Sequence, residues 1–288
     1  MNPIGKTLLL LGCLCCGSLL LPAQEAVFNA HWLRAEYQPY RLTHQTYVLE
    51  SADTLSSERF SMQVNVVVTD SVPGSYRLRW RMSDFSVQTD SYLCRQWLEQ
   101  LESSDFVYIT DRFGQLRELP DWEQVGRWLD ADMDGFVARY SGQTTAASRE
   151  RLYQLRDEMV LALQEALQEF HQAYGMAYYL DEVVEVPTKV QLPFSPLEVD
   201  AVVYKKLEAW QDGVGTLVSA TVLDTAQVNA AARRHWAVAD RIPRYRQEAS
   251  GALLMHLATG WPVFTYACRE LAEDKRLQGV YTDMTLVR

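Results

Sequence analysis

Three aspartates at alternate positions are the residues whose types and spacing come nearest to a metal site. Asp130, Asp132 and Asp134 precede Gly135, and calcium loops place oxygen ligands at positions one, three and five with a glycine at position six. Position twelve, where a bidentate acid completes the shell, is Ser141. The spacing therefore predicts at most weak calcium binding, about millimolar or poorer. An acidic helix end followed by a solvated loop is the alternative, and we assign no metal ligand.

Histidines and carboxylates do not define a catalytic centre in this sequence. No two histidines have the i, i+4 spacing with glutamate that forms a helical zinc site, and the Gly-x-Ser-x-Gly motif of serine hydrolases is absent. Glu182 and Glu185 are a carboxylate pair of the type that glycosidases use, although such pairs on an acidic protein usually lie at the surface. We assign no catalytic residue and no cofactor. The histidines are His31, His44, His171, His235 and His256.

The charge balance argues against a nucleic-acid partner. The 288 residues include 27 Lys and Arg against 37 Asp and Glu, a net charge of −10, so bulk positive charge is lacking. Arg77, Arg79 and Arg81 alternate along one predicted strand and form a basic face that either binds a phosphate or carboxylate headgroup or contacts water. With 48% hydrophobic residues, the chain has enough apolar side chains for a sizeable core.

The first 23 residues predict export. Lys6 precedes an apolar run from Leu8 to Leu21, and a polar stretch follows Ala23, which is the organisation of a secretory signal peptide. The run is shorter than the about 20 apolar residues of a transmembrane helix, and no later run reaches that length. We expect cleavage near Ala23 and a location in the periplasm or at the cell surface. The exact site stays open because Leu21 stands where signal peptidases prefer a small residue.

A second processing route leads through Cys13. The stretch Leu10-Leu11-Gly12-Cys13 loosely resembles a lipobox, whose cysteine becomes a lipidated first residue. Cleavage there would leave an apolar stretch on the mature chain, so we favour the unlipidated form. Removal of residues 1–23 leaves Cys94 and Cys268, which either form a disulfide or are buried as thiols.

Hydrophobic periodicity predicts strands near both ends of the chain and helices in the middle. The clearest hairpin joins Phe60–Val68 to Tyr76–Met82, with alternating apolar residues on both sides of a turn that ends at Gly74. The passage with Pro187, Pro193 and Pro196 is interpreted as a loop within one domain. Further predicted strands are 40–49, 106–110, 115–119, 201–209, 214–223, 248–257, 263–272 and 277–287, and predicted helices are 91–101, 121–129, 145–175 and 225–239.

These elements predict an α+β fold in which a curved antiparallel β-sheet of N- and C-terminal strands packs on central helices. We expect one domain over residues 24–288. Aromatic residues on the strand faces need cover, either from the long helix or from an apolar ligand in a cavity. They are Tyr76, Trp80, Tyr204, Trp210, Phe264 and Tyr266.

The C-terminal pattern Gly251-Ala-Leu-Leu-Met-His-Leu-Ala-Thr-Gly260-Trp-Pro resembles uncharacterised exported proteins of Gram-negative envelopes. The resemblance includes the early hairpin, Asp111-Arg-Phe-Gly114 before a helix, and a helix ending at Tyr174-Gly175. The order of elements is distantly similar to the periplasmic lipoprotein-carrier (LolA-like) fold, an open curved antiparallel sheet with helices on its concave side. This resemblance implies that acyl chains are bound, and it assigns no binding residue.

We therefore expect a non-enzymatic protein of the periplasm or cell surface that binds an apolar or lipid-like ligand. A carboxylate-based hydrolase and a structural or partner-binding envelope module are the alternatives. The sequence defines neither the ligand nor the oligomeric state.

Overall fold

The computed structural model describes residues 25–50, 53–191, 197–235, 245–273 and 276–287. Thirteen strands and four helices lie within these ranges. The strands are β1 (Glu25–Phe28), β2 (Tyr37–Glu50), β3 (Asp53–Val72), β4 (Ser75–Gln88), β5 (Ser104–Asp111), β6 (Leu116–Glu118), β7 (Met176–Tyr179), β8 (Val183–Gln191), β9 (Glu198–Gln211), β10 (Val214–Leu223), β11 (Tyr245–His256), β12 (Trp261–Glu273) and β13 (Arg276–Leu286). The helices are α1 (Tyr92–Gln100), α2 (Trp122–Arg139), α3 (Ala146–His171) and α4 (Thr225–His235).

Eleven of these strands form one antiparallel sheet in the order β6-β5-β4-β3-β2-β13-β12-β11-β10-β9-β8. Sequential hairpins build each half of the sheet, and the pairing of β2 with β13 joins the halves, with Leu42 opposite Met284. Strands β1 and β7 form a separate two-stranded sheet. The hairpin predicted on either side of Gly74 is confirmed as β3 and β4.

Alternating burial defines an inner face of the large sheet. On β3 every second residue from Phe60 to Val68 is buried, whereas their neighbours are partly exposed. A row of register partners extends this face from Met62 across β2 and β13 to Leu253 on β11 and Leu217 on β10. Each of these side chains is almost fully buried, as expected for an antiparallel sheet with one face in the core.

Helix α3 lies against the inner face. Thr145 accepts a hydrogen bond from the backbone N–H of Ser148 and so caps its first turn. The apolar stripe from Leu152 to Phe170 is buried, and the helix contacts β2, β11, β12 and β13. The predicted long helix is therefore confirmed, although α3 ends at His171 and Gly175, with φ of +73°, follows it in a turn.

The predicted α+β class, with the sheet packed on central helices, is wrong. Strands hold 55% and helices 26% of the residues that the structure describes, so this part of the protein is mostly β. The sequence prediction treated the helices in the middle of the chain as equal in importance to the strands at its ends. The sheet instead forms the body of the molecule because its strands reach 20 residues in β3, and the helices cover only part of one face.

The loop predicted for the passage with Pro187, Pro193 and Pro196 is wrong at Pro187. Pro187 lies in β8, opposite Val202 on β9. Because β8 is at the edge of the sheet, a residue without an N–H donor is tolerated there. Pro193 and Pro196 lie outside the described residues.

A buried chain of hydrogen bonds fixes the C-terminal end of α3. The indole of Trp80 donates to the hydroxyl of Tyr108 at 2.9 Å, and that hydroxyl contacts Nε2 of His171 at 2.9 Å. Nδ1 of His171 donates to the carbonyl of Gly114 at 2.7 Å. Since a carbonyl only accepts, Nε2 must accept from Tyr108. Burial lowers the pKa of His171 to about 3, so its ring is neutral.

The segment after β1 packs across the end of the sheet where the hairpin turns lie. The indole of Trp32 stacks on Trp261 and donates to the carbonyl of Gly260 at 3.2 Å. Tyr174 donates to the same carbonyl. Within the described part of the chain, no helix is both long and apolar enough to cross a membrane.

Candidate functional site

A cavity of about 470 Å³ separates one side of helix α3 from the inner face of strands β8 to β12. This volume is within the about 300–1,000 Å³ that small-molecule sites occupy. Leu161 at its rim is 51% exposed, so the cavity is open to solvent, and we call it the groove. The helical side of the groove consists of Leu161, Gln164, Glu165, Gln168 and Glu169 on α3 and of Gln172, which follows the helix. The strands contribute Val186, Thr188, Val190, Val203, Lys205, Ser219, Thr221, Leu223, Ala249, Ser250, Ala267, Cys268 and Arg269.

The lining changes along the strands from polar to mainly apolar. Lys205 and Ser219 are register partners at what we call the deep end, because Leu207 and Leu217, two residues further along, are buried in the core. In the opposite direction the groove follows the strands towards what we call the outer end. Six strand residues, of which every second one faces the groove, span about 20 Å. The inner-face residues along that length are mainly small or apolar: Val203, Thr221, Ala249, Leu223, Thr188 and Val190.

Glu169, Gln172 and Lys205 form a polar cluster at the deep end. The ammonium of Lys205 donates to the backbone carbonyl of Gln172 at 2.7 Å, and the side chain of Gln172 donates to the carboxyl of Glu169. Burial raises the pKa of Glu169 to about 7, against the opposing effects of Lys205 and Gln172. Burial also lowers the pKa of Lys205. The groove therefore holds a carboxyl group that exchanges its proton near neutral pH.

Gly251 allows Glu169 to approach the sheet. A Cβ atom at this position would lie 2.9 Å from the hydroxyl of Ser219 and 3.2 Å from the carboxyl of Glu169. Any larger residue would therefore displace one of the two polar groups.

Arg269 and Glu165 form a second polar cluster on the β12 side of the groove. They make an ion pair, and Glu165 also accepts a hydrogen bond from the hydroxyl of Thr282 at 2.8 Å. Because that hydroxyl donates to Glu165, Nδ1 of His44 at 2.8 Å must donate to it. Burial, and then the charge of Arg269, lower the pKa of His44 to about 4. Glu165 thus holds the guanidinium of Arg269 in place.

Replacement of Glu169 by glutamine should change how stability depends on pH. Because the folded pKa of about 7 exceeds the ordinary 4.5, Glu169 contributes stability that is present below pH 4.5 and is lost as pH rises through 7. Glutamine does not titrate and so lacks this pH-dependent contribution. The free energy of unfolding of Glu169→Gln should therefore rise by about 2–3 kcal/mol relative to that of the wild type between pH 5 and pH 8. Urea unfolding of both proteins at the two pH values measures the difference, and parallel pH profiles would contradict the burial of this carboxyl.

The stretch that resembles a calcium loop in sequence is helical. Asp130, Asp132 and Asp134 lie inside α2, which continues to Arg139. Each contacts a different group: Asp130 pairs with Arg156 at 2.7 Å, Asp132 accepts from the indole of Trp97 at 2.9 Å, and Asp134 accepts from the hydroxyl of Tyr153 at 3.4 Å. Among the described residues, no three His, Cys, Asp or Glu side chains are grouped to hold a metal ion.

Calcium should therefore leave the stability of the protein unchanged. The three aspartates could surround one calcium ion only if several turns of α2 unfolded. A ligand stabilises a protein only when it binds the folded state, so calcium should not stabilise this one. We expect no shift in melting temperature at one millimolar calcium. Titration calorimetry should detect no binding with a micromolar Kd. A tight site abolished by Asp132→Ala would show that α2 rearranges around the ion.

The other residues considered in the sequence are dispersed. Arg77, Arg79 and Arg81 are exposed, with Arg79 paired to Asp105 at 3.6 Å. Glu182 and Glu185 are exposed and lie outside the groove. His44 and His171 are buried, whereas the side chain of His235, and residues 1–23 with Lys6 and Cys13, lie outside the described residues. Cys94 and Cys268 are free thiols.

The sequence analysis missed the four charged residues of the groove, Glu165, Glu169, Lys205 and Arg269. A pattern that would have revealed them is the polar row at helical spacing that runs along α3 to the residue after it, through Gln164, Gln168 and Gln172. Lys205 also interrupts the apolar inner-face positions of β9. These two anomalies mark a helix and a strand whose polar residues face the groove.

No protein-family model matches the chain. No curated protein matches it either. Among solved structures, the chain is similar to a lipovitellin structure described under lipid–protein interactions, with a TM-score of 0.46, 7% identity and coverage of 90% of this chain and 26% of that chain. The chain thus spans about a quarter of the lipovitellin chain.

A second solved structure is DynF from the dynemicin biosynthesis pathway of Micromonospora chersina. It gives a TM-score of 0.19, 5% identity and coverage of 92% of this chain and 86% of that chain. Both TM-scores are below 0.5, so neither similarity establishes a shared fold. The resemblance to lipoprotein carriers and the location in the envelope stay predictions.

Proposed function

We propose that the protein binds a ligand with an apolar body in the groove. The observation that carries this proposal is the unfilled space of about 470 Å³ between α3 and the sheet. At other described positions of the inner face near α3, such as Leu253 and Met284, the side chains are fully buried. Ligand sites are concave and combine apolar walls with a few polar groups, as the groove does.

Filling the groove should strongly weaken the binding of a neutral apolar dye such as Nile red. Val203 points into the groove, whereas Val202, its neighbour on β9, is on the opposite face of the sheet. We expect Val203→Trp to weaken dye binding more than about tenfold, since the indole occupies the site, and Val202→Trp to leave it unchanged. Equal dye affinity in both variants and the wild type would refute the proposal. Native mass spectrometry of protein purified from its source then identifies any retained lipid.

One observation favours a second function, hydrolysis by carboxylates. A carboxyl with a pKa near 7, as Glu169 has, suits a general acid or base. Turnover in a broad hydrolase screen that is lost in Glu169→Gln would support this enzyme. Absence of turnover together with dye binding leaves ligand binding as the function.

We also propose that residues 1–23 direct export and that residues 24–288 form the mature domain, in the periplasm or at the cell surface. The support is the Lys6 cation, the apolar run and the small residue Ala23 before a polar stretch. Mass spectrometry of the mature N-terminus should find a chain starting near Gln24. Intact Met1 on cytoplasmic protein would contradict export, and a lipidated Cys13 would establish the anchored form.

A further inference from the structure

The charges in the groove restrict the chemistry of its ligand. Two cations line it, Lys205 and Arg269. Arg269 is held by Glu165. An ammonium has three N–H donors, and the carbonyl of Gln172 accepts one from Lys205. Lys205 is therefore the cation at the deep end that has donor capacity for a ligand.

We propose that the groove takes an amphiphile with a carboxylate head, bound head first. Its carboxylate contacts Lys205 at the deep end, and its alkyl chain lies along Val203, Leu223 and Val190 towards the outer end. This inference rests on the function proposed above and names its ligand class. On the strand side, the polar end of the groove adjoins the closed core, and Val203, Leu223 and Val190 follow towards the outer end, which sets the orientation.

Glu169 is compatible with an incoming carboxylate. Burial keeps the pKa of its carboxyl near 7. At neutral pH, Glu169 therefore becomes protonated at little cost in free energy when a second carboxylate binds. A protonated carboxyl is also a hydrogen-bond donor, and it lies beside Lys205. A phosphate head suits the site less well, because arginine forks usually hold phosphate and Glu165 already engages the guanidinium of Arg269.

Three probes with the same alkyl chain test the head group: dodecanoate, dodecanol and dodecyltrimethylammonium. In the full-length protein stripped of lipid, we expect dodecanoate to bind at least about tenfold more tightly than dodecanol, since a charge-assisted hydrogen bond is added. Dodecyltrimethylammonium should bind least. Dodecanoate should also bind more tightly at pH 6 than at pH 8, because Glu169 then carries its proton, whereas dodecanol should show no such change.

Lys205→Gln should remove the preference for dodecanoate and leave dodecanol binding unchanged, which also shows that the groove is intact. Lys206→Gln is the matched control, because Lys206 is on the opposite face of β9 and pairs with Asp181 at 2.8 Å. Equal binding of acid and alcohol, or a preference that survives in Lys205→Gln, would overturn the head-group inference while ligand binding stands. Binding of none of the three probes would overturn both.

Discussion

Replacement of Gly260 by alanine should destabilise the protein by about 3–5 kcal/mol, among the largest effects expected of a single methyl group. Gly260 has φ of +69°, and a Cβ atom there would overlap the carbonyl oxygen of Asn29 and lie 2.9 Å from Cα of Ala30. The cost combines backbone strain of about 1–2 kcal/mol with displacement of the segment that packs across the end of the sheet. Because the carbonyl of Gly260 accepts from Trp32 and Tyr174, that displacement also disturbs buried hydrogen bonds.

Gly213→Ala is the matched control. Gly213 has a similar φ of +78° in the turn between β9 and β10, yet its Cβ would meet no atom within 4 Å. Gly213→Ala should therefore lower the free energy of unfolding only by the backbone strain, about 1–2 kcal/mol. Chemical denaturation of the two variants measures the difference. Equal losses would mean that the residues around Asn29 do not approach Gly260 closely in solution.

Local patterns were sufficient to predict most individual elements. The hairpin around Gly74 and the stripe on α3 were predictable because alternation and helical spacing directly reflect which side of an element is buried. The start of α2 was likewise predictable, because Asp121 is of the type that caps helices, and its carboxylate accepts from the backbone N–H of Gln124 at 3.0 Å. These features depend on residues that are near one another in sequence.

The fold class was not predictable from the same patterns, because it depends on which long-range pairings form. Whether β2 pairs with β13, and how long each strand is, follows from contacts across more than 200 residues. The helical conformation of the stretch from Asp130 to Asp134 was missed for a related reason. Aspartates disfavour a helix interior intrinsically, but the contacts that Asp130 and Asp132 make with Arg156 and Trp97 hold α2 continuous through them.

The groove was missed because its residues are unremarkable one by one. Glutamate and glutamine on a helix are normally interpreted as a solvated face, and here the same residues face a cavity beneath a sheet. Only the register of β9 against β10 shows that Lys205 comes to lie at the same level as Ser219. A site made of side chains from five strands and one helix has no spacing in the sequence that identifies it.

Replacement of His171 by leucine should cost about 3–5 kcal/mol at pH 7.5. The substitution leaves the hydroxyl of Tyr108 and the carbonyl of Gly114 buried without their partner, and each such loss costs about 1–3 kcal/mol. Tyr108→Phe should cost a similar amount, because Trp80 then lacks its acceptor. The double variant leaves fewer unpaired groups than the two single variants together, so its cost should fall about 2 kcal/mol below their sum.

The pH dependence distinguishes these variants. The folded pKa of His171, about 3, is below the ordinary 6.5, so its contribution to stability is complete above pH 6.5 and is lost progressively as pH falls towards 3. At pH 5 the titration of His171 has lowered the free energy of unfolding of the wild type by about 2 kcal/mol. Leucine does not titrate, so the variant lacks this loss. The cost of His171→Leu should therefore shrink by about 2 kcal/mol between pH 7.5 and pH 5, whereas that of Tyr108→Phe, which keeps the histidine, should stay nearly constant. A cost of His171→Leu that is independent of pH would mean that the ring is charged or solvated, and the hydrogen-bond chain from Trp80 to Gly114 would then not exist.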